Sequence, residues 1–152
     1  MPNGFLNFTI SFGGRVEFER NFPGRIERVS NLRPFFEQLA DDFGDMEREA
    51  FRHEGAYEGQ PKWEKLEDGY RQWKERHYGV SSILARTGEL MGQAVHPART
   101  ITDTQLRLLI DVPYAIYHQE AREPRKRRPV VSLSVARKRR WQRLLRTYLL
   151  AK

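Results

Sequence analysis

The sequence predicts an α+β fold, in which an antiparallel sheet packs against one long amphipathic helix and a basic helix closes the chain. Three observations carry this. Apolar and polar residues alternate over Phe5–Phe12 and again over Gln105–Val112, the period-two pattern of half-buried strands. Apolar residues recur at three- and four-residue steps over Leu32–Arg52, the pattern of a helix with one buried face. A second helical stripe, Trp141, Leu144, Leu145, Tyr148 and Leu149, is backed by arginines near the C-terminus. Strands and helices of this kind need each other to cover their apolar faces. The 152 residues suit one domain with a substantial core. It divides into an N-terminal hairpin (1–29), a central core (30–121) and a basic loop with a C-terminal helix (122–152).

In chain order, Leu6, Phe8, Ile10 and Phe12 alternate with Asn7, Thr9 and Ser11. Gly13-Gly14 turns the chain, and Val16 and Phe18 resume the alternation. A two-residue loop would set Ile10 opposite Glu17 and Phe8 opposite Glu19. A three-residue loop, Gly13–Arg15, pairs Phe12 with Val16, Ile10 with Phe18 and Leu6 with Phe22. A one-residue slip turns every side chain to the other face, so the second register is predicted. Ser30 or Asn31 can cap the long helix, with Pro34 in its first turn, where proline is tolerated. Leu32, Phe35, Phe36, Leu39, Phe43, Met46 and Ala50 line its apolar face, with Asp41, Asp45 and Arg48 opposite. The helix stops near His53-Glu54-Gly55. GAYEGQPKW reads as loop, anchored at its far end by Trp63 and Leu66.

Tyr70, Trp73 and His77 then fall at helical spacing, in a shorter helix that frays at Tyr78-Gly79. In ILARTGELMGQAV, Thr87-Gly88 separates two elements. Gly88 can take the positive φ that other residues avoid, and the Thr87 hydroxyl can bond nearby backbone. A helical turn passing into a strand follows. Leu106, Leu108, Ile110 and Val112 alternate in the second clear strand, which Pro113 ends because proline cannot donate to a ladder. Tyr114–Gln119 reads as a short helical turn, Arg122–Pro129 as a charged loop, and Ser134 or Ser132 as the cap of the last helix.

The net charge of +7 is unevenly placed. Residues up to Glu123 hold sixteen cations and twenty acids, a balance of −4, whereas the rest hold eleven cations and no acid. One-sign runs repel themselves, so the segment points to a polyanion or an acidic partner. Arg139, Arg143 and Arg146 lie almost opposite the apolar stripe of the last helix. Arg137 and Lys138 fall nearer that stripe, so the first turn is expected to leave the core and project. Its cations oppose the helix dipole, and compensation is expected from outside the domain. The carboxylates of the long helix are assigned to its solvent face, without a pocket.

Chemistry is mostly absent. The chain has no cysteine, hence no disulfide framework or thiolate. The opening MPNGFLNFTISFGG lacks the basic lead and apolar core of a signal peptide, and no apolar run is long enough for a bilayer. Synthesis in the cytosol is the expectation. His53, His77, His96 and His118 form no HExxH and no metal-ligand pair. His118, in YAIYHQ, reads as a hydrogen-bonded, half-buried histidine. GxSxG and GxxxxGK[ST] are missing. The chain is therefore expected not to be an enzyme, with no cofactor and no metal. For nucleic acid, the tail has cations, but Trp141 and Tyr148 lie in the apolar stripe. What remains is phosphate neutralisation without base readout.

Four short elements, taken in order, resemble the virion morphogenesis proteins of tailed phages, the tail-completion or neck proteins. They are Trp63-Glu64-Lys65-Leu66; Tyr70-Arg71-Gln72-Trp73-Lys74; Ile83-Leu84-Ala85-Arg86-Thr87-Gly88-Glu89-Leu90; and Pro113-Tyr114-Ala115 with His118-Gln119. The resemblance runs from about Leu32 to the C-terminus. The chain departs from the family at Glu67-Asp68, where a Ser-Pro pair is usual, and at Glu120-Ala121 and Arg127-Arg128-Pro129. The resemblance implies a structural role for Trp63, Leu66, Tyr70, Trp73, Thr87, Gly88, Leu90, Tyr114 and His118. It implies a homo-oligomeric ring, typically of six copies, in the virion at the head–tail junction. That ring would complete the tail tube and meet the tube protein on one side and the head-completion or connector proteins on the other. DNA would pass through it by non-specific phosphate contact, with no membrane involved. Arg125, Lys126, Arg127, Arg128, Arg137, Lys138, Arg139 and Arg140 are the candidates for facing DNA or a neighbouring subunit. The acidic alternative for their partner is the Asp41–Glu49 face of a neighbour's long helix. The competing function is a small basic nucleic-acid-binding regulator, dimeric and reading bases.

Overall fold

The computed structural model describes residues 6–11, 26–120 and 128–151. The described strands are β1 (Leu6–Ser11), β2 (Ala98–Ile101) and β3 (Gln105–Ile110). The described helices are α1 (Ile26–Ser30), α2 (Arg33–Arg52), α3 (Asp68–Tyr78), α4 (Glu89–Val95), α5 (Ala115–Gln119) and α6 (Val135–Leu150). This is the expected α+β architecture. The sheet is antiparallel, in the order β1-β3-β2. β1 pairs with a strand about a hundred residues away, in the register Leu6↔Ile110, Phe8↔Leu108 and Ile10↔Leu106. The expected hairpin partner, with Gly13–Arg15, Val16 and Phe18, lies outside the described residues. β2 and β3 form a hairpin whose turn is tied by Thr102, its hydroxyl oxygen accepting from the N–H groups of Thr104 and Gln105.

α2 is the axis of the fold. Its start is set from two sides: the Asn31 side chain accepts from the Arg33 N–H, and the Leu32 N–H donates to the Asp103 carbonyl. Pro34 sits in the first turn, as expected. Leu32, Phe35, Phe36, Leu39, Phe43 and Met46 are buried against Leu106 and Leu108 of β3 and against Trp141 and Leu149 of α6. A second cluster continues the core beyond Phe51, with Trp63, Ile83, Leu90, Ala94, Ile110, Val112 and Val130. Each fully buried side chain of this kind contributes roughly 1.5–3 kcal/mol. Gly44 lets α4 approach α2 closely, since a Cβ there would lie 2.5 Å from the Val95 carbonyl oxygen.

β3 ends at Ile110, short of the expected Val112, because the Asp111 N–H is taken by the Gln93 side chain. Gly88 has φ +81° and starts α4, and the Thr87 hydroxyl accepts from the Glu89 N–H. This is the break expected at Thr87-Gly88. α3 stops at Gly79, which is also left-handed. Its aromatic residues stay outside the core. Tyr70 and Trp73 are exposed and stack on each other, and His77 stacks on Trp73. The residue α3 buries is Lys74, whose ammonium donates to the Ser82 carbonyl.

Candidate functional site

α6 carries most of the described basic tail and is fastened at both ends. Ser134 is its N-cap, the hydroxyl oxygen accepting from the Arg137 N–H at 2.9 Å. Ser132, the other candidate, instead donates to the Gln60 side chain. At the far end, Arg28 of α1 donates to the Tyr148 carbonyl, placing a cation at the negative end of the helix. The Tyr148 hydroxyl donates to the Asn31 carbonyl. Trp141 and Leu149 are buried and Leu144, Leu145 and Tyr148 pack beside them, the stripe read from the sequence.

The first turn does not project. Arg137 is buried, and its guanidinium bridges Asp42 of α2 at 2.7 Å and Glu58 of the following loop at 2.9 Å. Arg140 donates to the same Asp42 at 2.8 Å, and the Trp141 indole N–H does so at 2.7 Å. Two cations expected to face DNA or a neighbouring subunit are thus engaged within the chain. The physical reason is position: Arg137 lies on the side of α6 that meets α2, where two carboxylates supply the compensation expected from outside the domain. Burial alone would raise the Asp42 carboxyl, but the hydrogen bonds from Trp141, Arg140 and Arg137 outweigh it and hold the group below its ordinary value of 3.8.

The acids of α2 are placed differently from expectation too. Asp41 pairs with Arg99, Asp45 with Arg48, and Glu49 with Arg52. Asp42 is largely buried, and Glu47 is 1% exposed. The carboxylates of the Asp41–Glu49 segment are therefore not all on the solvent side, and Asp41, Asp45 and Glu49 already have cations of the same chain beside them. Helical position explains this. Asp42 and Glu47 flank the apolar stripe where Leu39, Phe43 and Met46 occupy it, and no charge count reveals that Asp42 has a partner 95 residues away.

Arg128 reaches across to another segment, donating to the carbonyls of Glu64 and Lys65. Arg125, Lys126 and Arg127 lie outside the described residues. The other cations of α6, Lys138, Arg139, Arg143 and Arg146, are all exposed. Among the described residues none of these four has an acidic partner. Arg139, Arg143 and Arg146 form one stripe, stepped by about 6 Å and about 4.5 Å along the axis. Such a row can neutralise phosphates, but among the described residues it has no exposed aromatic beside it on α6 for base stacking.

The remaining family-motif residues divide into core and surface. Trp63 is buried edge-on against Phe51 and donates from its indole N–H to the Pro129 carbonyl at 3.0 Å. Leu66 packs on the second cluster and Leu90 is inside it. Tyr114 is half-exposed and meets His118 edge-on at 6.1 Å. Burial, with Glu89 adding to it, raises the Tyr114 hydroxyl above its ordinary value of 10.0. His118 is half-buried, as expected. Among the described residues no group of three or more His, Asp or Glu is arranged to hold a metal ion, and no helix is long and apolar enough to cross a membrane. No family model, curated protein or solved structure matches the chain.

Proposed function

We propose that the chain is a structural virion protein of the tailed-phage neck, forming a ring that completes the tail tube and joins it to the head connector while DNA passes through. The observation that carries this reading is the exposed row Arg139, Arg143 and Arg146, with Lys138 beside it, on a helix whose other face is fixed to the core. In an isolated chain those cations repel one another; beside a DNA path the same row is attracted to phosphate, and the attraction adds over subunits. The resemblance in sequence motifs supplies the ring, its usual six copies and the partners: the tail tube protein and the head-completion proteins. Trp63, Leu90 and Gly88 suit the structural role that the resemblance implies, since each serves packing or a turn.

The internal engagement of Arg137 and Arg140 narrows the DNA-facing set to Lys138, Arg139, Arg143 and Arg146, with Arg125, Lys126 and Arg127 outside the described residues. Two measurements test the reading. Light scattering over a range of concentrations is expected to give a mass near six chains. Binding to random-sequence duplex DNA is expected to weaken steeply with salt. Three phosphates neutralised per subunit give a log–log slope of about −2.7, or roughly a 40-fold loss between 50 and 200 mM salt. A dimer that prefers one DNA sequence would overturn the neck reading in favour of a regulator.

A further inference from the structure

α3 is turned the wrong way round for a helix of a folded domain. Every residue from Asp68 to Tyr78 is exposed except Lys74. A surface helix normally sets its apolar stripe against the core. Here the aromatic residues face water, and a lysine faces inward to donate to the Ser82 carbonyl. Tyr70 is 44% exposed, Trp73 41% and Tyr78 38%. These rings form one cluster. Tyr70 stacks on Trp73 at 5.7 Å, His77 stacks on it at 4.6 Å, and Tyr78 meets it edge-on at 5.8 Å. The Arg86 guanidinium lies 4.8 Å from the centre of the Tyr78 ring. Three rings of this size at such exposure leave roughly 200–300 Å² of aromatic surface in water. Single exposed rings are ordinary, but a patch of this order gathered in one place marks a contact site. A helix of 11 residues is also marginal in water unless an apolar face is packed, and the face of α3 that could be packed is the one left in solvent.

We propose that this aromatic face of α3 is where one copy of the chain meets the next. The proposal rests on the ring reading for its occupant and adds the surface by which the ring would close. Charge selects a second copy. Two chains of net charge +7 repel each other, so they approach most readily where the local charge is balanced. Residues 64–79 hold four acids and four cations, a balance of zero, whereas the charged residues of α6 are all of one sign. A mixed-sign rim around an aromatic centre is the make-up of a contact between proteins. It offers no net attraction to a polyanion. Two rings already stack on Trp73, which leaves less open ring face on which a base could stack. Trp and Tyr at the centre, with Arg76 at the margin, are the residue types that dominate contact energies. The aromatic surface is about a third of the ~800 Å² that a stable contact covers on each partner, so it serves as the centre and the charged flanks of α3 as the rim.

The test compares the full chain with the double variant Tyr70→Ala and Trp73→Ala. Sedimentation at matched concentrations is expected to give a mass near six chains for the parent and near one for the variant, with the far-UV spectrum of a folded chain in both. Acrylamide quenching supplies a measurement on the parent alone. Trp63 and Trp141 are buried, so the quencher reads Trp73, and quenching is expected to rise as dilution brings the mass down. A variant that keeps the parent's mass overturns the contact and leaves the ring standing. A parent of one chain at every concentration overturns both. A parent of two chains that falls to one in the variant supports the contact and removes the ring. Quenching that stays constant while the mass falls overturns the contact. So does binding of single-stranded oligothymidine that the variant loses with its mass unchanged, for then the face stacks bases.

Discussion

Replacing Asp42 by alanine removes the carboxylate on which three side chains of α6 converge. Arg137 at 2.7 Å, Arg140 at 2.8 Å and the Trp141 indole at 2.7 Å would all lose it together. Breaking one partner of a buried ion pair typically costs about 3–5 kcal/mol. Arg137 keeps Glu58, which lowers that figure, while the Trp141 N–H is left buried and unpaired, which adds about 1–3 kcal/mol. The Arg140 contact adds little, because its side chain is 52% exposed. A net loss of about 3–4 kcal/mol follows, which for a chain of this length lowers the Tm by about 10 °C. Urea and thermal unfolding monitored by tryptophan fluorescence measure it. Because the effect is on folding, DNA affinity of the folded fraction should be unchanged. A double variant, Asp42→Ala with Arg137→Met, should lose less than the sum of the two singles by at least about 1 kcal/mol. A Tm within about 2 °C of the parent, or strict additivity in the cycle, would refute the claim that this cluster clamps α6 to α2.

Other perturbations separate the fold from the surface. Phe43→Asp, at a fully buried position of α2, should lose several kcal/mol by chemical denaturation and leave little folded protein at 37 °C. Gly88→Val should lose about 1 kcal/mol or more because Gly88 has φ +81°, whereas Thr87→Ser should melt close to the parent. Reversing Arg139, Arg143 and Arg146 to Glu should shift the Tm by only a degree or two but abolish salt-sensitive DNA binding in an anisotropy titration. The two unusual carboxyls should give opposite pH dependence. Asp42 is depressed in the fold, so its contribution is present above 3.8 and is lost as pH falls through the folded value. Glu47 is raised, so its contribution is full below 4.5 and is lost as pH rises toward its folded value; Glu47→Gln should therefore gain most over the parent at neutral pH, read from urea midpoints across a pH series.

Local pattern was enough for the elements whose signal is repetition. The α2 stripe from Leu32 to Met46, the alternation of Leu106, Leu108 and Ile110, the apolar face of α6 and the positive φ of Gly88 are all readable from neighbours in sequence. Periodicity and backbone sterics act over a few residues, so a few residues disclose them. Partnership was not readable in the same way. The pairing of β1 with β3 joins residues about a hundred apart, and Arg137 finds Asp42 across 95. A charge run looks uniform along the chain. Yet folding takes Arg137 inside, fixes Arg140 to Asp42, turns Arg128 onto the 64–65 backbone and leaves Arg139, Arg143 and Arg146 in water. Glu47 makes the same point from the acidic side. Asp45, two residues before it, is exposed, but a helix turns about 100° per residue, so the step from Asp45 to Glu47 carries a carboxylate from solvent to a buried position. Which charges end up solvated, paired or buried depends on what packs opposite them, and that is set by contacts between segments that the chain brings together only when it folds.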